Sequence, residues 1–455
     1  MSRFKLFLLS TGLIIFSTAA AQDTARIRQI ADDILSTSEM YENLRVLCKK
    51  VGPRLSGSSG AQLAISETAR MLREAGADTV YLQPCMVPHW VRGSKEKAVL
   101  LAANGTRTPL RICALGNSEG TGAKGVKAPV IEVHSMQELA ELGVAVKGKI
   151  VFFNFAMNPR HVQTFRAYGE AGIARRSGPA EAARYGAAGV LVRSLASNLD
   201  DYPHTGATQY NDSFPKIPAA AISTNDAELL SRKLRLRMIH ELQFFTYCQM
   251  LPDVPSFNVI GEIRGSSVKP AIITVGGHLD SWDLAEGAHD DGAGCMQSIE
   301  VIRVLKKLGF HPKNTIRAVL FMNEENGLRG GKAYLAAAKL KNESHLFALE
   351  SDAGGFTPRA FGFSLQDDKL QKIQPWVKLL EPYGIGGFHT GGGGADIGPL
   401  RETGAVLCGL EPDSQRYFDV HHASTDVFES VSKRELALGA ICMSALIYLV
   451  DQIGL

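Results

Sequence analysis

At 455 residues the chain is longer than one hydrophobic core usually grows, so two domains, or one domain carrying a large insert, are expected. Lys and Arg number 49 against 46 Asp and Glu, for a net charge of +3. With no block of like charge, the composition offers no platform for nucleic acid or an anionic membrane.

The first element is at the N-terminus, where Arg3 and Lys5 precede an apolar run from Leu6 to Phe16 and then Ser17-Thr18-Ala19-Ala20-Ala21-Gln22. This pattern predicts a signal peptide over 1–21, with Ala19 and Ala21 placed for cleavage before Gln22 and export to the periplasm or the exterior. The run is well short of the roughly 20 residues of a membrane span, so no stable span is expected. Export permits disulfides, but seven scattered cysteines have no framework spacing, and Cys295 and Cys442 read as small core residues.

Helical spacing follows from Ile27 to Leu47, then a turn through Arg54-Leu55-Ser56-Gly57, a helix from Gln62 to Glu74 and a strand from Thr79 to Leu82. From about Ala103 the texture changes to short β-like runs between glycines: 149–153, 189–192 and 217–222. The division expected is 22–102 and 253–455 as two parts of one domain, with 103–252 inserted. From Phe257 onward, strand and helix alternate. Strands are predicted at 271–275, 315–322, 346–349 and 405–410, with helices at 292–308 and 328–340, and 436–450 is a buried C-terminal helix. Alternation of this kind predicts an α/β fold: a mixed, mostly parallel sheet flanked by helices, with ligands beyond the carboxyl ends of its strands.

The polar motifs fall at those ends. Gly277-His278-Leu279-Asp280 follows one strand, and Ala288-His289-Asp290-Asp291-Gly292 opens the next helix. Asn323-Glu324-Glu325 follows the second strand, Glu350-Ser351-Asp352 the third, and His421-His422 lies beyond the last. So many carboxylates at one rim repel one another unless cations neutralise them, and imidazole with carboxylate suits zinc. Five ligands exceed what a single catalytic zinc uses, so two ions sharing a carboxylate fit the count. Adjacency lets only one of His421 and His422 face the metal readily, and His289 reads as a loop side chain. Gly391 to Gly394 lack the Lys-Ser/Thr of a phosphate-binding loop and read as a flexible cleft wall.

Gly277-His278-Leu279-Asp280-Ser281-Trp282-Asp283, Gly287-Ala288-His289-Asp290-Asp291-Gly292-Ala293-Gly294 and Asn323-Glu324-Glu325 resemble the co-catalytic zinc exopeptidases that include bacterial leucyl aminopeptidases. The Ser-Trp-Asp extension looks most like their plasma glutamate carboxypeptidase (carboxypeptidase Q) branch. The inserted Val146-Lys147-Gly148-Lys149-Ile150-Val151 and Ala182 to Gly189 look like a β-rich protease-associated domain. The resemblance implies a dinuclear site with two Zn2+ ions, bridged by Asp290. His278 and Asp352 complete one metal, Glu325 and His422 the other, Glu324 is the general base, and Asp280 hydrogen-bonds the far nitrogen of His278. The preference for His422 over His421 comes from the family pattern, which places the ligand four residues before an Asp, here Asp426. Short peptides are the implied partners, and a homodimer is compatible with the resemblance. Two alternatives on this scaffold are a non-catalytic receptor-like protein and a glutaminyl cyclase-like transferase; the complete ligand set and Asp291 favour hydrolysis.

Overall fold

The computed structural model describes residues 22–239 and 241–455; the signal peptide expected over 1–21 lies outside the described residues. Eight strands form the main sheet: β1 Thr79–Val91, β2 Gln249–Ile263, β3 Ile272–His278, β4 Thr315–Phe321, β5 His345–Glu350, β6 Pro358–Phe363, β7 Gly387–Thr390 and β8 Val406–Pro412. Their order across the sheet is β1-β2-β4-β3-β5-β8-β6-β7. The centre, β4-β3-β5-β8, is parallel, while β1, β2 and β6 join antiparallel neighbours, so the sheet is mixed.

Alternation along the strands assigns side chains to two faces. Ile316, Ala318 and Leu320 of β4 face one core together with the helices Ser59–Glu74, Ala293–Lys307 and Lys433–Ile453. Val319 and Phe321 face a second core with Tyr334 and Leu335 of the helix Arg329–Leu340. Both sheet faces are covered, which is why β3 is buried along its whole length. The helix Lys433–Ile453 is long and apolar enough to cross a membrane, but 83% of its most apolar window is buried inside the protein, as a core helix is. All seven cysteines are free and buried.

Between Val91 and Gln249 the chain leaves the main sheet and builds two others. One is four-stranded and antiparallel, and Lys97–Leu101 belongs to it, so the excursion starts before residue 103. The other has five strands, of which Val130–Val133, Ile150–Phe153, Gly189–Arg193 and Ala219–Ile222 run parallel. Helices Thr164–Ala171, Gly178–Arg184 and Thr224–Arg235 accompany them, so this segment is α/β in character as well as rich in strands.

Register sets the functional rim. His278 stands opposite Phe321, and Gly276 opposite Glu350, so the segments that follow β3, β4 and β5 emerge side by side.

Candidate metal centre

His278 ends β3, and its backbone N–H donates to Asp291 Oδ2 at 3.0 Å. A Cβ at Gly277 would lie 2.3 Å from that same oxygen, so only glycine admits Asp291 there. His278 Nδ1 lies 2.9 Å from the Asp280 carbonyl oxygen and donates to it. With Nδ1 so engaged, Nε2 is the nitrogen turned to the carboxylates, 3.1 Å from Asp290 Oδ1 and 3.3 Å from Asp352 Oδ1. Asp280 thus meets the far nitrogen of His278 as expected, but with its backbone carbonyl and not its carboxylate. Its Oδ1 instead accepts from the N–H groups of Asn323 at 2.6 Å and Glu324 at 3.0 Å, tying the end of β3 to the loop after β4.

Asp290 is held by Asp426, whose two oxygens accept from the N–H of His289 at 2.7 Å and of Asp290 at 3.1 Å. The Asp290–Asp291 peptide is cis. On the other side of Asp290, His422 Nε2 lies 3.3 Å from its Oδ2 and 3.2 Å from Glu325 Oε2. Glu325 Oε1 accepts from Trp282 N–H at 3.2 Å.

Two ligand-bearing groups thus share Asp290: His278, Asp290 and Asp352 lie together, as do Asp290, His421 and His422. Sequence adjacency led us to expect one histidine of the pair to face away, yet both rings face Asp290 because they stack, with centroids 3.6 Å apart. His421 Nε2 is the more distant, at 3.8 Å from Asp290 Oδ2. His289 takes no part: it is buried, stacked on Phe356 at 4.1 Å, and bonded to Gly355 N–H and the Ser430 carbonyl.

A divalent cation fits this donor set. Asp290 Oδ2 is buried with no hydrogen-bond partner, and the metal-free charges are strained. Burial opposes charge on His278, but the Asp352 charge and the Asp290 hydrogen bond outweigh it and hold the imidazole protonated well above its usual range. Burial likewise opposes charge on His422, and the facing Glu325 with Asp290 pushes its pKa up to about 10. Glu324 and Glu325 also hold their protons to higher pH than usual. Burial, with neighbouring carboxylates, raises Glu324 well above the carboxylate range and Glu325 to about 7.

The site opens into a cleft of about 450 Å³, lined by Glu324 and Asp352 from the main sheet and by Tyr168, Arg175 and Arg176 from the segment between β1 and β2. A second cavity of about 660 Å³ adjoins it through Asp352 and Phe165, and Gly393 and Gly394 form part of its wall. A Cβ on Gly394 would lie 2.0 Å from the Glu350 carboxyl carbon. Sequence reasoning missed Arg175 and Arg176, since no local motif ties a residue of a distant insert to the rim. Asp426 carried a signal, its spacing four residues after His422.

These features define a metallopeptidase of the α/β class. The chain belongs to peptidase family M28, which residues 258–446 match. It is 34% identical over 457 residues to carboxypeptidase Q of Bos taurus, covering 97% of this chain and 94% of that one. It is also 24% identical to aminopeptidase YwaD of Bacillus subtilis, over 97% of this chain and 91% of the relative. The crystal structure of a peptidase M28 precursor from Shewanella amazonensis superposes with a TM-score of 0.91 at 31% identity, covering 96% of this chain and 98% of that one. A zinc aminopeptidase of Bacillus subtilis shares the fold, with a TM-score of 0.64 at 21% identity over 90% of this chain and 94% of that one. The resemblance to the co-catalytic exopeptidases and to their carboxypeptidase Q branch is borne out.

Proposed function

We propose that the protein is an exported dinuclear zinc exopeptidase that removes residues from the carboxyl end of short peptides. The observation that carries this reading is the pair of ligand sets on either side of Asp290. His278 and Asp352 would hold one ion with it, and Glu325 and His422 the other. Bound there, two zinc ions would supply polarisation of the scissile carbonyl and a water of lowered pKa. Glu324, on the cleft wall with a raised pKa, takes a proton from the attacking water at its carboxylate and passes it to the departing amine. Asp280 keeps the Glu324 backbone in place.

Arg176 lines the same cleft with no ion pair among the described residues, and Lys332 stands nearby, so a free carboxylate has cationic partners there. The names of the carboxypeptidase Q relatives agree with that end. Aminopeptidase action is the second reading, favoured by Glu350, Glu411 and Asp413 around the adjoining cavity, which suit an amine. The segment from about residue 92 to 248 is read as a protease-associated domain, and 1–21 as a signal peptide.

Purified protein is expected to carry close to two zinc equivalents. On a panel of short peptides, carboxyl-terminal amidation is expected to lower kcat/KM at least about tenfold, from the loss of one charge-assisted hydrogen bond, and amino-terminal acetylation to matter less. The reverse order would establish the aminopeptidase reading. Activity with less than one zinc equivalent, or cleavage within an unfolded protein, would overturn both.

A further inference from the structure

His422 has φ +63°, a left-handed conformation that a non-glycine residue keeps only where its surroundings impose it. Besides the bonds within the turn, from His421 N–H to the Tyr417 carbonyl and from Ala423 N–H to the Val420 carbonyl, contacts from the excursion between β1 and β2 hold it. His204 Nδ1–H donates to the His421 carbonyl at 2.7 Å, and Thr205 N–H donates to the His422 carbonyl at 3.0 Å. The His422 ring returns the contact, with Nδ1 3.2 Å from the Thr205 carbonyl oxygen. Two successive carbonyls of the histidine turn are thereby occupied by donors from residues 204 and 205.

These two residues are themselves anchored on the five-stranded sheet. His204 is 2% exposed, and its N–H donates to Ser194 Oγ at 2.9 Å. Ser194 Oγ–H donates to the Ile222 carbonyl at 2.7 Å, and Thr205 Oγ1–H to the Ala114 carbonyl at 2.8 Å. The neutral ring that donates from Nδ1 to Thr205 presents a bare Nε2 once the Nε2 proton is displaced, and Nε2 is the atom facing Asp290 and Glu325. Arg175 Nη1, also 3.4 Å from Nδ1, cannot donate to it in that tautomer.

We infer that His204 is a positioning residue for the metal centre: with Thr205 it fixes the backbone turn and the tautomer of His422, so that the inserted segment completes one of the two metal sites. This rests on the reading of His422 as a ligand. The test measures zinc affinities of the full mature chain by chelator competition, together with the visible spectrum of the cobalt-loaded protein and thermal unfolding. His204→Leu is expected to weaken one zinc equivalent by about 10–100-fold while the other is unchanged, and to shift the cobalt bands of that site. His204→Asn, whose amide nitrogen can stand where Nδ1 stood, is expected to restore affinity and spectrum. His204→Gln, with its nitrogen displaced towards the Nε2 position, is expected to behave like the leucine variant and serves if that one does not fold. His422→Ala should remove the same equivalent. If it does so while His204→Leu and His204→Gln bind both ions as the wild type does, the positioning role alone is overturned. If His422→Ala keeps both ions, the ligand reading falls and this inference with it. Equal weakening of both ions, unrescued by His204→Asn, would reduce His204 to a general core residue and also overturn it.

Discussion

Glu324 and Glu325 are adjacent in sequence yet are read in opposite duties, and the loop after β4 separates them. Glu325 turns towards Trp282 N–H and His422, while Glu324 lines the cleft, its backbone N–H fixed on Asp280. A carboxylate raised by burial and by the charges of Asp352 and Glu325 is a better proton acceptor near neutrality than an exposed one. Glu324→Gln keeps the size and the backbone bond but removes the base. Turnover is expected to fall by about 10²–10⁴-fold with both zinc equivalents retained, as kinetics and metal analysis of one sample would show. Near-normal turnover would remove Glu324 from the role. At this scale the residues gathered around Asp290 were legible from motifs that follow the predicted strands or open the next helix, with His422 reached only through the family pattern. Atom-level roles were not. The spacing of His278 and Asp280 is the same whether carbonyl or carboxylate holds the ring, and only the folded loop distinguishes them. The facing of His421 was likewise hidden, because stacking on His422 lets two adjacent residues share one direction.

Elements were legible where burial is uniform. The apolar runs of β3, β4, β5 and β8 lie within a residue or two of their strands, save that β3 carries on through Gly276-Gly277-His278 and β8 to Pro412, since fully buried parallel strands leave no polar alternation to confuse the reading. β1 was longer than its apolar core at Thr79 to Leu82, because Gln83, Pro84 and His89 interrupt the pattern while pairing with β2 sustains the strand. β6 and β7 went unread, being short and holding Pro and Gly. In the inserted segment the short helix Gly178–Arg184, rich in Ala and Gly, offered no large apolar residue to set a period. The glycine before His278 is where an element limits the site: Gly277→Ala would drive a Cβ into Asp291 Oδ2, the acceptor of His278 N–H. Zinc content and kcat/KM are expected to fall together, kcat/KM by at least about tenfold given the sensitivity of catalysis to small misplacements. Gly386→Ala, whose Cβ would meet only the Arg359 carbonyl at 3.7 Å, is the matched control and should change neither. Equal behaviour of the two variants would sever the strand from the site.

Over the whole molecule, positive and negative charges nearly cancel, 49 against 46, so the electrostatics of the centre are local and set by burial. In the metal-free protein those local charges settle by holding protons on imidazoles, His422 up to about pH 10 and His278 well above its usual range. A metal accepts only the unprotonated ring nitrogen, so each ion must displace a proton from its histidine on binding. Lower pH favours the protonated ring and opposes the ion; higher pH removes the competitor. Glu325, raised to about 7, adds a second displaced proton only where the pH is below that value. The apparent affinity for each zinc is therefore expected to rise by about tenfold per pH unit between about pH 7 and 9, and more steeply below for the ion that Glu325 would hold. Calorimetry in buffers of different ionisation enthalpy should count about one proton released per ion at about pH 8. Affinity independent of pH across that range would mean that both imidazoles are already neutral before metal arrives, and that the carboxylates around them do not carry the charge on which the centre depends.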